Sequence, residues 1–102
     1  MLIEVLFVPG CPNHVPAVQR LRKVLRSEGI NASIQEIPVT DELMASSLEF
    51  PGSPTVRING RDVESTPEQS YALACRLYAG GTGVPSVEAL QRAIAGAQSR
   101  KG

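Results

Sequence analysis

The segment Leu2–Val8, reading LIEVLFV, is apolar at nearly every position. A strand with one wet face alternates apolar and polar residues, so this run predicts a strand covered on both faces. Such a strand lies inside a sheet, with further layers above and below it. Pro9-Gly10 breaks it at once. After Cys11-Pro12-Asn13-His14, the residues Val15, Val18, Leu21 and Leu25 recur at helical spacing. Gly29 is placed to end that helix, because glycine adopts the left-handed conformation without strain. The chain therefore opens as strand, sharp turn and helix.

Ile30–Val39 reads as a second strand with loose alternation, as befits a sheet edge. Pro38 suits the end of an edge strand, since it has no N–H for a ladder. A strand–helix–strand unit of this kind is a right-handed parallel crossover. Thr40 is expected to cap a short helix, with Asp41 and Glu42 in its first turn and Leu43, Met44 and Leu48 toward the sheet. Thr55–Ile58, Asn59-Gly60 and Arg61–Glu64 form a hairpin pattern, because Asn-Gly favours the two-residue turn with positive φ at both positions. Thr66-Pro67-Glu68-Gln69 has the capping signals of another helix, which would carry Tyr71, Leu73, Cys75, Leu77 and Tyr78. Gly80-Gly81-Thr82-Gly83 would break it and serve as a connector. Ser86 would cap a last helix with Val87, Leu90 and Ile94 along one face. The chain end from Ala97 reads as loose.

These elements predict one α/β domain over residues 1–102. It has a four-stranded mixed sheet in the order 2-1-3-4, flanked by helices, with a C-terminal helical extension. The 102-residue length fits a single domain. Ten basic residues balance ten acidic ones. That neutrality, with only four aromatic residues and no Trp, argues against nucleic acid as a partner. The start of the chain lacks the charged flank and apolar length of a signal peptide. No stretch approaches the ~20 apolar residues of a membrane helix. A cytoplasmic location without a membrane partner is the expectation. Two cysteines exclude a multi-bridge scaffold and any four-cysteine metal site.

Three features together resemble the thioredoxin-like family. Gly10-Cys11-Pro12-Asn13-His14 places a cysteine between a buried strand and a helix. Ser53-Pro54-Thr55 opens a hairpin. One strand and one short helix separate the two. The likeness covers roughly residues 2–64. A narrower likeness, carried by GCPN, GSPTVRINGRD and ACRLY, is to small bacterial thioredoxin-like proteins often labelled alkylmercury-lyase-like. The resemblance implies that Cys11 is the reactive cysteine and that Pro54 follows a cis peptide bond beside it. It also implies a substrate groove shaped by Pro12, Ser53, Pro54 and Thr55. The sequence departs from a dithiol Cys-x-x-Cys motif at His14.

The thiolate is the nucleophile of thiol–disulfide exchange. A cysteine in the first turn of a helix would meet free N–H groups and the positive end of the helix dipole. With His14 three residues on, these groups predict a Cys11 pKa below the free value of ~8.5. The topology sends the chain back, after Glu64, to the end of the sheet that holds Cys11, and Cys75 lies on that returning segment. The favoured reading is a thiol–disulfide oxidoreductase-like protein acting on protein or small-molecule thiols and disulfides without a cofactor. In it Cys11 attacks, His14 stabilises the thiolate or shuttles protons, and Cys75 resolves the mixed disulfide. Two alternatives stay open. Cys11 and Cys75 together would grip a soft metal or an organomercurial, or the domain is a non-catalytic binding module. Each thiol also has a structural reading, as a small apolar residue of the core. The basic residues Arg20, Arg22, Lys23 and Arg26 read first as a solvated helix face.

Overall fold

The computed structural model describes residues 1–64, 73–74, 76–78 and 81–99. In chain order its elements are β1 (Ile3–Phe7), α1 (His14–Ser27), β2 (Ile34–Pro38), α2 (Glu42–Ser47), β3 (Thr55–Ile58), β4 (Arg61–Asp62) and α3 (Val87–Ser99). The strands form one sheet in the order β2-β1-β3-β4. β1 runs parallel to β2, with Val5 beside Glu36 and Phe7 beside Pro38. β1 is antiparallel to β3, with Leu6 beside Thr55. The mixed sheet and its strand order are those predicted from the sequence.

The alternation of β1 explains why its apolar run is continuous. Ile3 and Val5 point into a core built with Val18, Leu21, Val24 and Leu25 of α1 and Leu90 and Ile94 of α3. Leu6 points the other way, into a second cluster with Val39, Ala45 and Phe50. Thus α1 and α3 cover one face, and α2 with the Phe50 loop covers the other. The hairpin turn is as read: Asn59 and Gly60 both take positive φ, 52° and 80°, and only residues tolerant of that region fit there. The ladder formally ends at Asp62, two residues short of the expected Glu64, although Val63 still donates to the Val56 carbonyl.

Several local assignments shift. Val15 is 56% exposed, and Ala17 takes its place on the buried face of α1. Asp41, not Thr40, caps α2: its extended backbone lets its carboxylate accept from Met44 N at 2.8 Å. Leu43 is 79% exposed, so Met44, Ala45 and Leu48 form the packed face. Ser86 does cap α3, accepting from Ala89 N at 3.1 Å. Val87 turns outward, whereas Ala97 packs against the core and the helix continues to Ser99. Among the described residues, no helix is long and apolar enough to cross a membrane.

The helix expected from Thr66 falls mostly outside the described residues, Tyr71 and Cys75 included. Its described part is not helical. The backbone groups there pair elsewhere: Ser53 N donates to Ala74 O at 2.8 Å, Arg76 N donates to Ser53 O at 2.9 Å, and Tyr78 N donates to Thr82 O at 2.7 Å. A helical ladder would leave Ser53 without these partners in a buried site.

Candidate functional site

β1 delivers the chain to a tight turn, and Cys11 stands in it. Its N–H donates to Val8 O at 3.0 Å, and its carbonyl accepts from His14 N at 3.2 Å. The thiol is free and partly exposed. Helix α1 begins at His14 with Asn13 as its cap residue. Cys11 therefore precedes the helix rather than lying in its first turn.

His14 is the first residue of α1 and is fixed from two sides. Its ring stacks on Phe7, with centroids 3.6 Å apart and planes 4° from parallel. Its Nε2 meets Glu36 Oε1 at 2.6 Å. A carboxylate only accepts, so Nε2 carries the hydrogen of this bond and Nδ1 is the other proton-exchanging nitrogen. Among the described residues, no hydrogen bond joins the Cys11 thiol to His14. Glu36 was not a candidate from the sequence. It reaches His14 because the parallel register sets it beside Val5, two residues before Phe7 on the same face of β1.

The Ser53-Pro54-Thr55 turn is fastened to the Cys11 turn. Ser53 Oγ accepts from Val8 N at 3.0 Å, and Ser53, Pro54 and Thr55 are all buried. The Ser53–Pro54 peptide is cis. Gly52, at φ 143°, permits this packing, because a Cβ there would stand 3.0 Å from Arg76 Cβ and 3.2 Å from Ala74 O. Pro12 is exposed beside Cys11. Gly83 lies directly against the Asn13 side chain. Ser53 thus links the Cys11 turn, through Val8, to Ala74 and Arg76. Cys75 lies outside the described residues.

Behind the turn sits a buried polar cluster. Arg76, 3% exposed, grips Asp62 with both arms, Nη1 to Oδ2 at 2.6 Å and Nη2 to Oδ1 at 3.0 Å. It also donates to Glu64 O and to Thr55 Oγ1. Its guanidinium carbon lies 4.2 Å from the centre of the Tyr78 ring. Tyr78 in turn donates its hydroxyl to Pro54 O at 2.5 Å. The cluster ties residues 76–78 to both the hairpin and the proline. A lone arginine between Cys75 and Leu77 carries no sequence signal of burial, because its partner lies on another strand.

Burial raises the Tyr78 phenol well above the ordinary tyrosine value, and the neighbouring Arg76 cation offsets only part of that. The folded protein therefore keeps a proton that the unfolded chain releases near pH ~10. Stability linked to this group is complete below that pH and falls as pH climbs through it. Denaturant melts of the wild type should lose up to about 1.4 kcal/mol per pH unit more than Tyr78→Phe above about pH 10. Equal slopes for the two proteins would exclude the buried phenol as the source.

Comparison with known family models, curated proteins and solved structures gave no match to this chain. Among the described residues, no three His, Cys, Asp or Glu side chains gather as a metal site.

Proposed function

We propose that this protein is a thioredoxin-like thiol–disulfide exchange protein whose nucleophile is Cys11. One observation carries the reading. A free, partly exposed thiol stands between β1 and α1, and the Ser53-Pro54-Thr55 turn is hydrogen-bonded to the same turn through Val8. In the reaction, the Cys11 thiolate attacks one sulfur of a substrate disulfide. A Cys11–substrate disulfide forms, the old sulfur–sulfur bond breaks, and the leaving thiolate takes a proton. A second thiolate, that of Cys75 or of an external thiol, then attacks the Cys11 sulfur or the substrate sulfur and ends the mixed disulfide. His14, oriented by Glu36 and Phe7, gives or accepts the proton through its remaining ring nitrogen. Pro12, exposed beside Cys11, borders the substrate, and the buried Ser53-Pro54-Thr55 turn supports the Cys11 turn from behind through Val8.

Intact-mass analysis after exposure to oxidised glutathione tests this reading. The wild type should end either with one glutathione on Cys11 or, where Cys75 resolves that adduct, with an internal disulfide; dithiothreitol reverses both, and Cys11→Ser should show neither at that site. Cys75→Ser should accumulate the mixed disulfide if Cys75 resolves it. A wild-type Cys11 inert to both glutathione disulfide and iodoacetamide overturns the proposal in favour of a non-catalytic module. Titration with Hg(II) separates the remaining alternative: a one-to-one site lost on removing either cysteine identifies a paired soft-metal site.

A further inference from the structure

The hairpin and α3 border a half-open hollow of about 430 Å³ around the Asn59-Gly60 end of the sheet, away from Cys11. This lies within the range of about 300–1,000 Å³ common for small-ligand pockets. Its floor is apolar, from Ile58 and Val63 on the hairpin side and Ala93 and Ala97 on the helix. Two arginines are among its lining residues, Arg61 on β4 and Arg92 on α3.

The strand register decides the charge of this cavity. Arg61 pairs with Ile58 and shares its face, toward α3, whereas Asp62 pairs with Arg57 on the other face. Asp62 does border the cavity, but both of its carboxylate oxygens are engaged. Oδ2 accepts from Arg76, and Oδ1 accepts from Arg76 and from Glu64 N. Among the described residues, neither Arg61 nor Arg92 forms an ion pair. Two unpaired cations bordering one apolar hollow repel each other. An anionic head between them reverses that interaction, and guanidinium forks match a carboxylate. An apolar body attached to the head would cover the floor.

We propose that this cavity binds a small amphipathic carboxylate, with its head held by Arg61 and Arg92 and its hydrocarbon on Ile58, Val63, Ala93 and Ala97. The site is independent of the chemistry at Cys11. Gly96, one helical turn beyond Arg92 on the same face of α3, offers a way to fill it while both arginines stay in the sequence. A Cβ at this position meets nothing within 4 Å, and leucine is a better helix former than glycine.

Titrating octanoate into the full chain, followed by amide NMR shifts, tests the site, with octanamide as the neutral control. The expected result is saturable shifts centred on Asn59–Val63 and Arg92–Ala97, with octanamide at least about tenfold weaker. Arg61→Gln and Arg92→Gln should each weaken octanoate by about tenfold. Gly96→Leu should abolish binding while keeping the helical circular dichroism and the melting temperature. Octanamide binding as tightly as octanoate, octanoate binding unaffected by both arginine substitutions, or shifts that never saturate would each overturn the proposal.

Discussion

Replacing Arg76 with alanine is expected to lower the unfolding free energy by about 3 kcal/mol. Breaking a buried ion pair from one side costs about 3–5 kcal/mol, because the surviving charge loses its counter-ion in a poorly solvated place. The lower end applies here, since the Asp62 side chain keeps 20% of its surface exposed while that of Arg76 keeps 2%. For a domain of this size the loss corresponds to a fall of roughly 12–24 °C in melting temperature. The pairwise part is separable. Arg76→Met combined with Asp62→Leu should be more stable than Arg76→Ala alone, because no charge is left stranded. The recovery stays incomplete, since Asp62 also accepts from Glu64 N at 2.9 Å. Denaturant melts of the wild type, Arg76→Met, Asp62→Leu and the double variant measure the pairwise term, and Arg76→Ala measures the cost of truncation. A loss under about 1 kcal/mol for Arg76→Ala would class this contact with ordinary surface pairs.

What was legible in the sequence was whatever local chemistry dictates. The unbroken apolar run of Leu2–Val8 predicts the central strand, and Asn59-Gly60 predicts the hairpin. The expected order rests on the parallel crossover, the hairpin, the doubly covered β1 and the edge character of β2 together. Phase was harder to read than period. Val15 and Ala17 are both apolar residues near the start of α1, and only the sheet beneath selects Ala17. Thr40 and Asp41 are both good caps, and the backbone conformation at Asp41 decides between them. The capping signals at Thr66–Gln69 speak of a start and say nothing of extent. The described residues of that segment are not helical, and Ala74 and Arg76 pair with Ser53 instead.

The candidate site divides in the same way. Cys11, His14 and the Ser53-Pro54-Thr55 turn are marked by local motifs. Glu36, Asp62 and the buried state of Arg76 are not. Their roles come from contacts across 22 and 14 positions of sequence, set by strand register and by the return of the chain over β3. A single glutamate on an edge strand, or a single arginine between apolar residues, looks solvated until the partner strand is in place. Sequence distance hides how Ser53 joins segments that lie far apart along the chain. Ser53 is bonded to Val8 on one side and to Ala74 and Arg76 on the other.

Phe50→Ala is expected to cost about 3–5 kcal/mol, the range for deleting a fully buried aromatic side chain. Phe50 is 0% exposed and anchors the second core with Leu6, Val39 and Ala45. That core is small, so few neighbours are available to close the cavity left behind. The backbone adds to the argument: Phe50 N donates to Ala45 O at 2.8 Å, tying the end of α2 to the loop that leads to Ser53. Leu43→Ala is the matched control. Leu43 belongs to the same helix but is 79% exposed, so its loss should stay within about 0.5 kcal/mol. Phe50→Leu should fall between the two, because leucine fills part of the volume and keeps the site apolar. Urea melts read all three. A change in midpoint at constant slope assigns the loss to the folded core rather than to the denatured ensemble. Since Leu6 is the β1 residue paired with Thr55, the Phe50 core also backs the sheet where the thiol turn begins. Phe50→Ala should therefore speed alkylation of Cys11 under native conditions through local opening of that end, while Leu43→Ala leaves the rate unchanged.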